Sequence, residues 1–186
     1  ITPIHDGLSP LLQKYDGQGV LIGVIDTELE FDHPDFLDSL GNSRVLFYWN
    51  QNLGVAANTP QPYNYGQAWN NQGINDGLTV RSSFSDHGSH VTGIAAGNGG
   101  ESGLYKGVAP EANLIFVSYN HTGSTLAPEF AVSIADAVDY IFSKADSMGV
   151  PCVINTSVGT YFGSHDGKDI GAQMIDDLLN AKSGRS

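Results

Sequence analysis

Val20-Leu21-Ile22-Gly23-Val24-Ile25-Asp26 is the stretch that sets the fold. Six apolar or small residues, most of them β-branched, run without a polar break and end on an acid. Such a run reads as a strand buried on both faces, the habit of parallel sheets. An acid at the carboxyl end of such a strand stands where open α/β sheets form their ligand crevices. A lone aspartate there also serves simply to cap the next turn. What else the chain carries decides between the two roles.

Working outward, Val45–Trp49, Asn113–Val117 and Val150–Ile154 are further apolar runs of strand length. Helical patterns separate them. One starts near His87 and runs through Val91, Ile94 and Ala95 to the glycines at 97–100. A second spans Glu129 to Met148, with Phe130, Ile134, Val138, Ile141 and Ala145 on one stripe and Gly149 closing it. A third covers 170–182 through Ile170, Met174, Ile175, Leu178 and Leu179. Strands alternating with helices predict an α/β fold of three layers, a parallel sheet with helices on both faces. Residues from about 50 to 82 are rich in Asn, Gln, Gly, Pro and Tyr, without sustained periodicity, and are expected to form a polar surface insertion. The pattern stops after a helix where another strand is due, so the fold reads as cut short.

The length of 186 residues suits one domain with a substantial core. Eight basic against 20 acidic residues give a net charge of −12, which argues against nucleic acid and anionic membrane as partners. No apolar run approaches the length of a membrane span. Cys152 is the single cysteine, so no intrachain disulfide forms. Its place within Val150–Ile154 predicts a small buried hydrophobe rather than a reactive thiol.

The second chemical signal is Ser85-Asp86-His87-Gly88-Ser89-His90-Val91-Thr92-Gly93. Two histidines three apart beside an acid are candidates for metal ligands on one helical face, but no third ligand lies at a familiar spacing. The other role is a general base, His87, at the first turn of a helix. Gly88 is then read as room for substrate beside the ring, and His90 as packed behind the site. His5, His33, His121 and His165 lie in loop-like segments and read as surface residues.

The segment Val24–Phe36, with Ile25-Asp26-Thr27 and Asp32-His33-Pro34-Asp35-Phe36, resembles the aspartate motif of the subtilases, the subtilisin-like serine peptidases. Asp86–Gly97 is similar to their histidine motif. Gly107-Val108-Ala109-Pro110 resembles the turn before the family's next strand, and Ile154–Gly159 the segment bordering its substrate cleft. The resemblance implies that residues 1–186 are the N-terminal portion of a subtilase catalytic domain, with Asp26 and His87 as triad members. It also implies that Ser157, Val158 and Gly159 pair with an extended polypeptide substrate, and residues 121–125 are a looser match for the opposing wall. The family's Gly-Asn oxyanion segment and its Gly-Thr-Ser-Met-Ala nucleophile segment are not found in this sequence. Ser124, Ser157 and Ser164 lack the context of a nucleophile.

What the resemblance implies is thus a serine endopeptidase in the complete protein, secreted or in the cell envelope, with this chain supplying Asp and His. It requires no cofactor and leaves room for calcium as a structural ion at Asn98–Gly103. The expected partner of the unfinished sheet is the protein's own C-terminal half or another chain. Glu28 stands where the family has Gly after Asp-Thr. There it either crowds the triad aspartate with a like charge or points to solvent. Glu28 and the missing serine keep open an alternative, a non-catalytic subtilase-like pseudoenzyme or interaction module.

Overall fold

The computed structural model describes residues 2–9, 11–82, 85–120, 127–159 and 164–186. In chain order the elements are α1 (Thr2–His5), β1 (Leu21–Asp26), a 3-10 turn (Pro34–Phe36), β2 (Val45–Asn50), β3 (Gln67–Asn70) and α2 (Asn71–Asn75). They continue with α3 (His87–Ala96), β4 (Asn113–Ser118), α4 (Ala127–Met148), β5 (Cys152–Thr156) and α5 (Ile170–Asn180). The sheet order is β3-β2-β4-β1-β5. β1 lies between β4 and β5 and runs parallel to both, and β2 runs parallel to the central β4.

Side chains alternate across this sheet and fill two cores. Leu21, Ile25, Ile115, Val117 and Trp49 point to the layer of α4, meeting Val138, Ile141, Phe142 and Ala145. Ile22, Val24, Leu114, Phe116 and Tyr48 point to the opposite layer, meeting Leu29, Phe36, Ile74 of α2 and Ala96 of α3. Burial of these side chains, about 1.5–3 kcal/mol for each Val, Leu, Ile or Phe, supplies the main driving force. The expected three-layer α/β architecture with helices on both faces is therefore present.

The sheet is mixed rather than wholly parallel. β3 pairs antiparallel with β2, with Tyr48 opposite Trp69 and Phe47 opposite Asn70. It arises inside the polar stretch 50–82, which thus extends the sheet as well as covering its surface. Tyr63 and Tyr65 from the same stretch donate to Asp139 and Asp136 of α4 at 2.7 and 2.8 Å, and both rings pack at a tilt against Trp49. Burial, followed by those carboxylates, pushes both phenols well above their ordinary range.

The fold reads from sequence as cut short after α5, yet the apolar stripe of this helix is mostly covered. Ile175, Leu178 and Leu179 pack against the core beside α4, leaving Ile170 largely open and Met174 partly so. Residues 184–186 also line the outer edge of β5. Cys152 N–H donates to Gly184 O, Ser186 N–H to Cys152 O and Ile154 N–H to Ser186 O. Asp146 binds Lys182 at 3.0 Å and Arg185 at 2.7 Å, fastening this segment to α4.

Candidate active site

The two chemical signals of the sequence, 61 residues apart, meet at the carboxyl edge of the sheet. β1 delivers Asp26 at its last position, fully buried. α3 begins at His87, whose Nδ1 lies 2.7 Å from Asp26 Oδ1. The same carboxylate oxygen accepts the Thr27 N–H at 2.7 Å and the Thr27 hydroxyl at 3.2 Å. Asp26 Oδ2 is buried with no hydrogen-bond partner among the described residues. An ionised carboxylate only accepts, so Nδ1 donates to it and Nε2 is the ring nitrogen turned away from Asp26. The His87 side chain is about half exposed, at 53%, so one face of the pair is dry and the other open. Behind it the Tyr119 N–H donates to Asp26 O at 3.0 Å, and burial together with the Asp26 charge raises the Tyr119 phenol.

Gly88 has a different role from the one expected. A Cβ there would run into the Glu28 carbonyl oxygen and come within 2.9 Å of Phe116 Cζ. The missing side chain lets the first turn of α3 seat on the backbone leaving β1, so the space is taken up by protein. His90 also differs: it is exposed, lining an open cleft of about 420 Å³ with Glu30, His33, Asp86 and Tyr105. One turn of helix carries its ring away from the covered side of α3. Among the described residues no group of three or more His, Cys, Asp or Glu side chains is gathered as a metal site needs.

Glu28 neither faces solvent nor crowds Asp26 as a free charge. It is fully buried and accepts from Tyr48, Asn50, Ser82 and Ser118. Those partners are 20 to 90 positions away in sequence, beyond the reach of any local pattern. The replacement of Gly by Glu in an otherwise matching motif was the visible signal.

Ser157, Val158 and Gly159 follow β5 directly, one step past the Ile25–Thr156 pair, beside the end of β1. Ser157 and Gly159 are exposed, Val158 leans on the core, and Ser157 Oγ accepts from Asn155 Nδ2 at 3.0 Å. Residues 121–125, the expected opposing wall, lie outside the described residues. In the loop Asn98–Gly103, Asn98 Oδ1 accepts the Gly100 N–H, Asn98 Nδ2 donates to Leu37 O, and Asp35 Oδ1 accepts the Glu101 N–H. His5 and His33 are half-buried: His5 Nε2 lies 2.9 Å from Val108 O, and His33 Nδ1 accepts the Asp35 N–H. His165 is exposed.

Known proteins resemble this chain in sequence and in fold. The chain is 29% identical over 151 residues to the subtilisin-like protease PopC of Myxococcus xanthus, covering 79% of this chain and 26% of PopC. It is 31% identical over 175 residues to the PII-type proteinase of Lactococcus lactis subsp. cremoris, covering 88% of this chain and 8% of that one. The CspB protease of Clostridium perfringens superposes on 88% of the chain with a TM-score of 0.72 at 24% identity, over 34% of its own length. The chain thus spans roughly a quarter or less of the length of these curated relatives. The profile of the Subtilase family matches residues 17–185, and the chain belongs to that family.

Proposed function

We propose that this chain supplies the aspartate and the histidine of an Asp-His-Ser triad in a serine endopeptidase. The observation that carries this reading is the 2.7 Å contact between a buried strand-end carboxylate and a half-exposed imidazole at a helix start. In the mechanism, a serine from outside residues 1–186 attacks the scissile carbonyl while His87 Nε2 takes its proton. His87 then passes that proton to the leaving amine. Asp26 fixes the tautomer and stabilises the imidazolium that forms. Ser157–Gly159 present backbone to an extended polypeptide beside β5, a mode that reads chain conformation more than side chains.

The relatives include the minor extracellular protease Vpr of Bacillus subtilis, and no described helix is long and apolar enough to cross a membrane. Action outside the cell or in its envelope, on polypeptide substrates, follows from that kinship. The reading requires no cofactor, and a structural calcium ion at Asn98–Gly103 is the one ion it admits.

A serine-reactive fluorophosphonate tests the proposal. The intact protein is expected to be labelled at one serine outside residues 1–186, while the 186-residue chain alone is neither labelled nor active. Stoichiometric labelling within residues 1–186 would overturn the assignment of the nucleophile. An intact protein that is folded but neither labels nor cleaves peptides would favour the non-catalytic alternative.

A further inference from the structure

Glu28 is a buried carboxylate without a cationic partner among the described residues. Burying an ionised carboxylate costs several kcal/mol unless hydrogen bonds replace its water. Here four donations, with a share of the Ser118 hydroxyl proton, do so. Oε1 takes the Ser82 N–H at 2.7 Å, the Ser82 hydroxyl at 2.5 Å, Ser118 Oγ at 3.3 Å and Asn50 Nδ2 at 3.4 Å, and Oε2 takes Tyr48 Oη at 3.0 Å.

The donors come from two sources. Tyr48, Asn50 and Ser118 are fixed on β2 and β4, whereas Ser82 belongs to the segment that arrives at His87 five residues later. Asn50 Nδ2 also holds Val80 O at 2.9 Å, so the same cluster grips that segment twice. The backbone of Glu28 works on the other side of His87, because its carbonyl is the surface on which Gly88 seats. One residue therefore contacts the chain both before and after the histidine. Ser118 Oγ, whose single proton is shared between Thr27 O and Glu28 Oε1, joins this cluster to the turn that holds Asp26.

We propose that Glu28 is the positioning residue for His87, anchoring the 80–82 segment through Ser82 so that the imidazole stays aimed at Asp26. The inference rests on the reading of Asp26 and His87 as the catalytic pair. It concerns the placement of the ring, which is observable without turnover.

The test follows the hydrogen-bonded His87 Nδ1 proton by NMR, assigned with His87→Ala, together with amide exchange at Ser82. Glu28→Ala is expected to lose the proton signal and to speed Ser82 exchange by about tenfold or more, the scale of one hydrogen bond to a charged group. Glu28→Gln keeps an acceptor facing Ser82 and is expected to retain the signal. Tyr48→Phe removes a donor that comes from β2 and touches the segment only through Val80 O at 3.5 Å, so it is expected to lower stability while leaving the signal in place. A folded Glu28→Ala with the His87 signal intact would overturn the proposal, as would equal loss of the signal in Tyr48→Phe. Should Glu28→Ala not fold, Ser82→Ala decides: a weakened signal supports the anchor, and an unchanged one refutes it. In the intact protein, Glu28→Ala is expected to lower kcat with KM held. A wild-type protein without peptidase activity would remove the protease reading and leave the NMR result to judge the anchor by itself.

Discussion

Replacing Gly88 with alanine puts a methyl group against the Glu28 carbonyl and 2.9 Å from Phe116 Cζ. Phe116 is 1% exposed and part of the core of that face, so neither neighbour can yield cheaply. Alanine is the better helix former by about 1 kcal/mol, while overpacking of this kind costs about 1–3 kcal/mol and more against backbone. The expected balance is a loss of about 1–2 kcal/mol. Gly93, five positions on in the same helix, supplies the control, because a Cβ there meets nothing within 4 Å. Gly93→Ala is expected to gain about 0.5–1 kcal/mol in the 186-residue chain. Urea denaturation of the three proteins measures both, with a common m-value as the check on two-state behaviour. A Gly88→Ala chain as stable as wild type, or two alanine variants that shift alike, would refute the close seating of α3 on Glu28.

Three further outcomes follow from the same packing. Burial pushes the Cys152 thiol up to about 11, so a thiol reagent at neutral pH is expected to leave the native chain unmodified and to titrate one thiol after denaturation. Arg44 is buried and donates to Asp35 O, Ala96 O and Ala112 O at 3.1, 2.9 and 2.6 Å. Arg44→Met strands those carbonyls and is expected to cost about 2–4 kcal/mol in urea denaturation. Hydrogen bonds from Lys182 and Arg185 hold the Asp146 carboxyl below its ordinary value of 3.8. Its stabilisation is therefore complete above that value and lost as the pH falls through the lower folded one. Asp146→Asn is expected to lower stability by under ~1 kcal/mol at pH 7, given its partial exposure, and the difference from wild type to vanish in acid.

The parallel strands were legible because burial on both faces forces continuous apolar runs. Leu21–Asp26, Val45–Asn50 and Asn113–Ser118 lie within a residue of the expected Val20–Ile25, Val45–Trp49 and Asn113–Val117. The last strand starts at Cys152 rather than Val150, since Gly149 takes a positive φ and Pro151 has no N–H to donate. β3 gave no warning: Gln67-Ala68-Trp69-Asn70 is short, edge-placed and without a β-branched residue. Asp26 and His87 were legible because each ends or begins an element, where a side chain reaches the sheet edge whatever the loops do. The burial of Glu28 and the exposure of His90 depend on what packs beside them from distant parts of the chain, and no spacing encodes that.

Turnover of a peptide substrate by the intact protein carrying His87→Ala, beside one carrying His90→Ala, tests whether His87, held by Asp26, is the general base of a peptidase. A loss on the order of 10⁴-fold or more is expected for His87→Ala, as for triad members of serine proteases generally. His90→Ala, whose ring is exposed on the neighbouring cleft, is expected to keep near wild-type turnover. Equal losses in two stably folded variants, restored by added zinc, would contradict that role for His87 and point to a metal held between the two histidines.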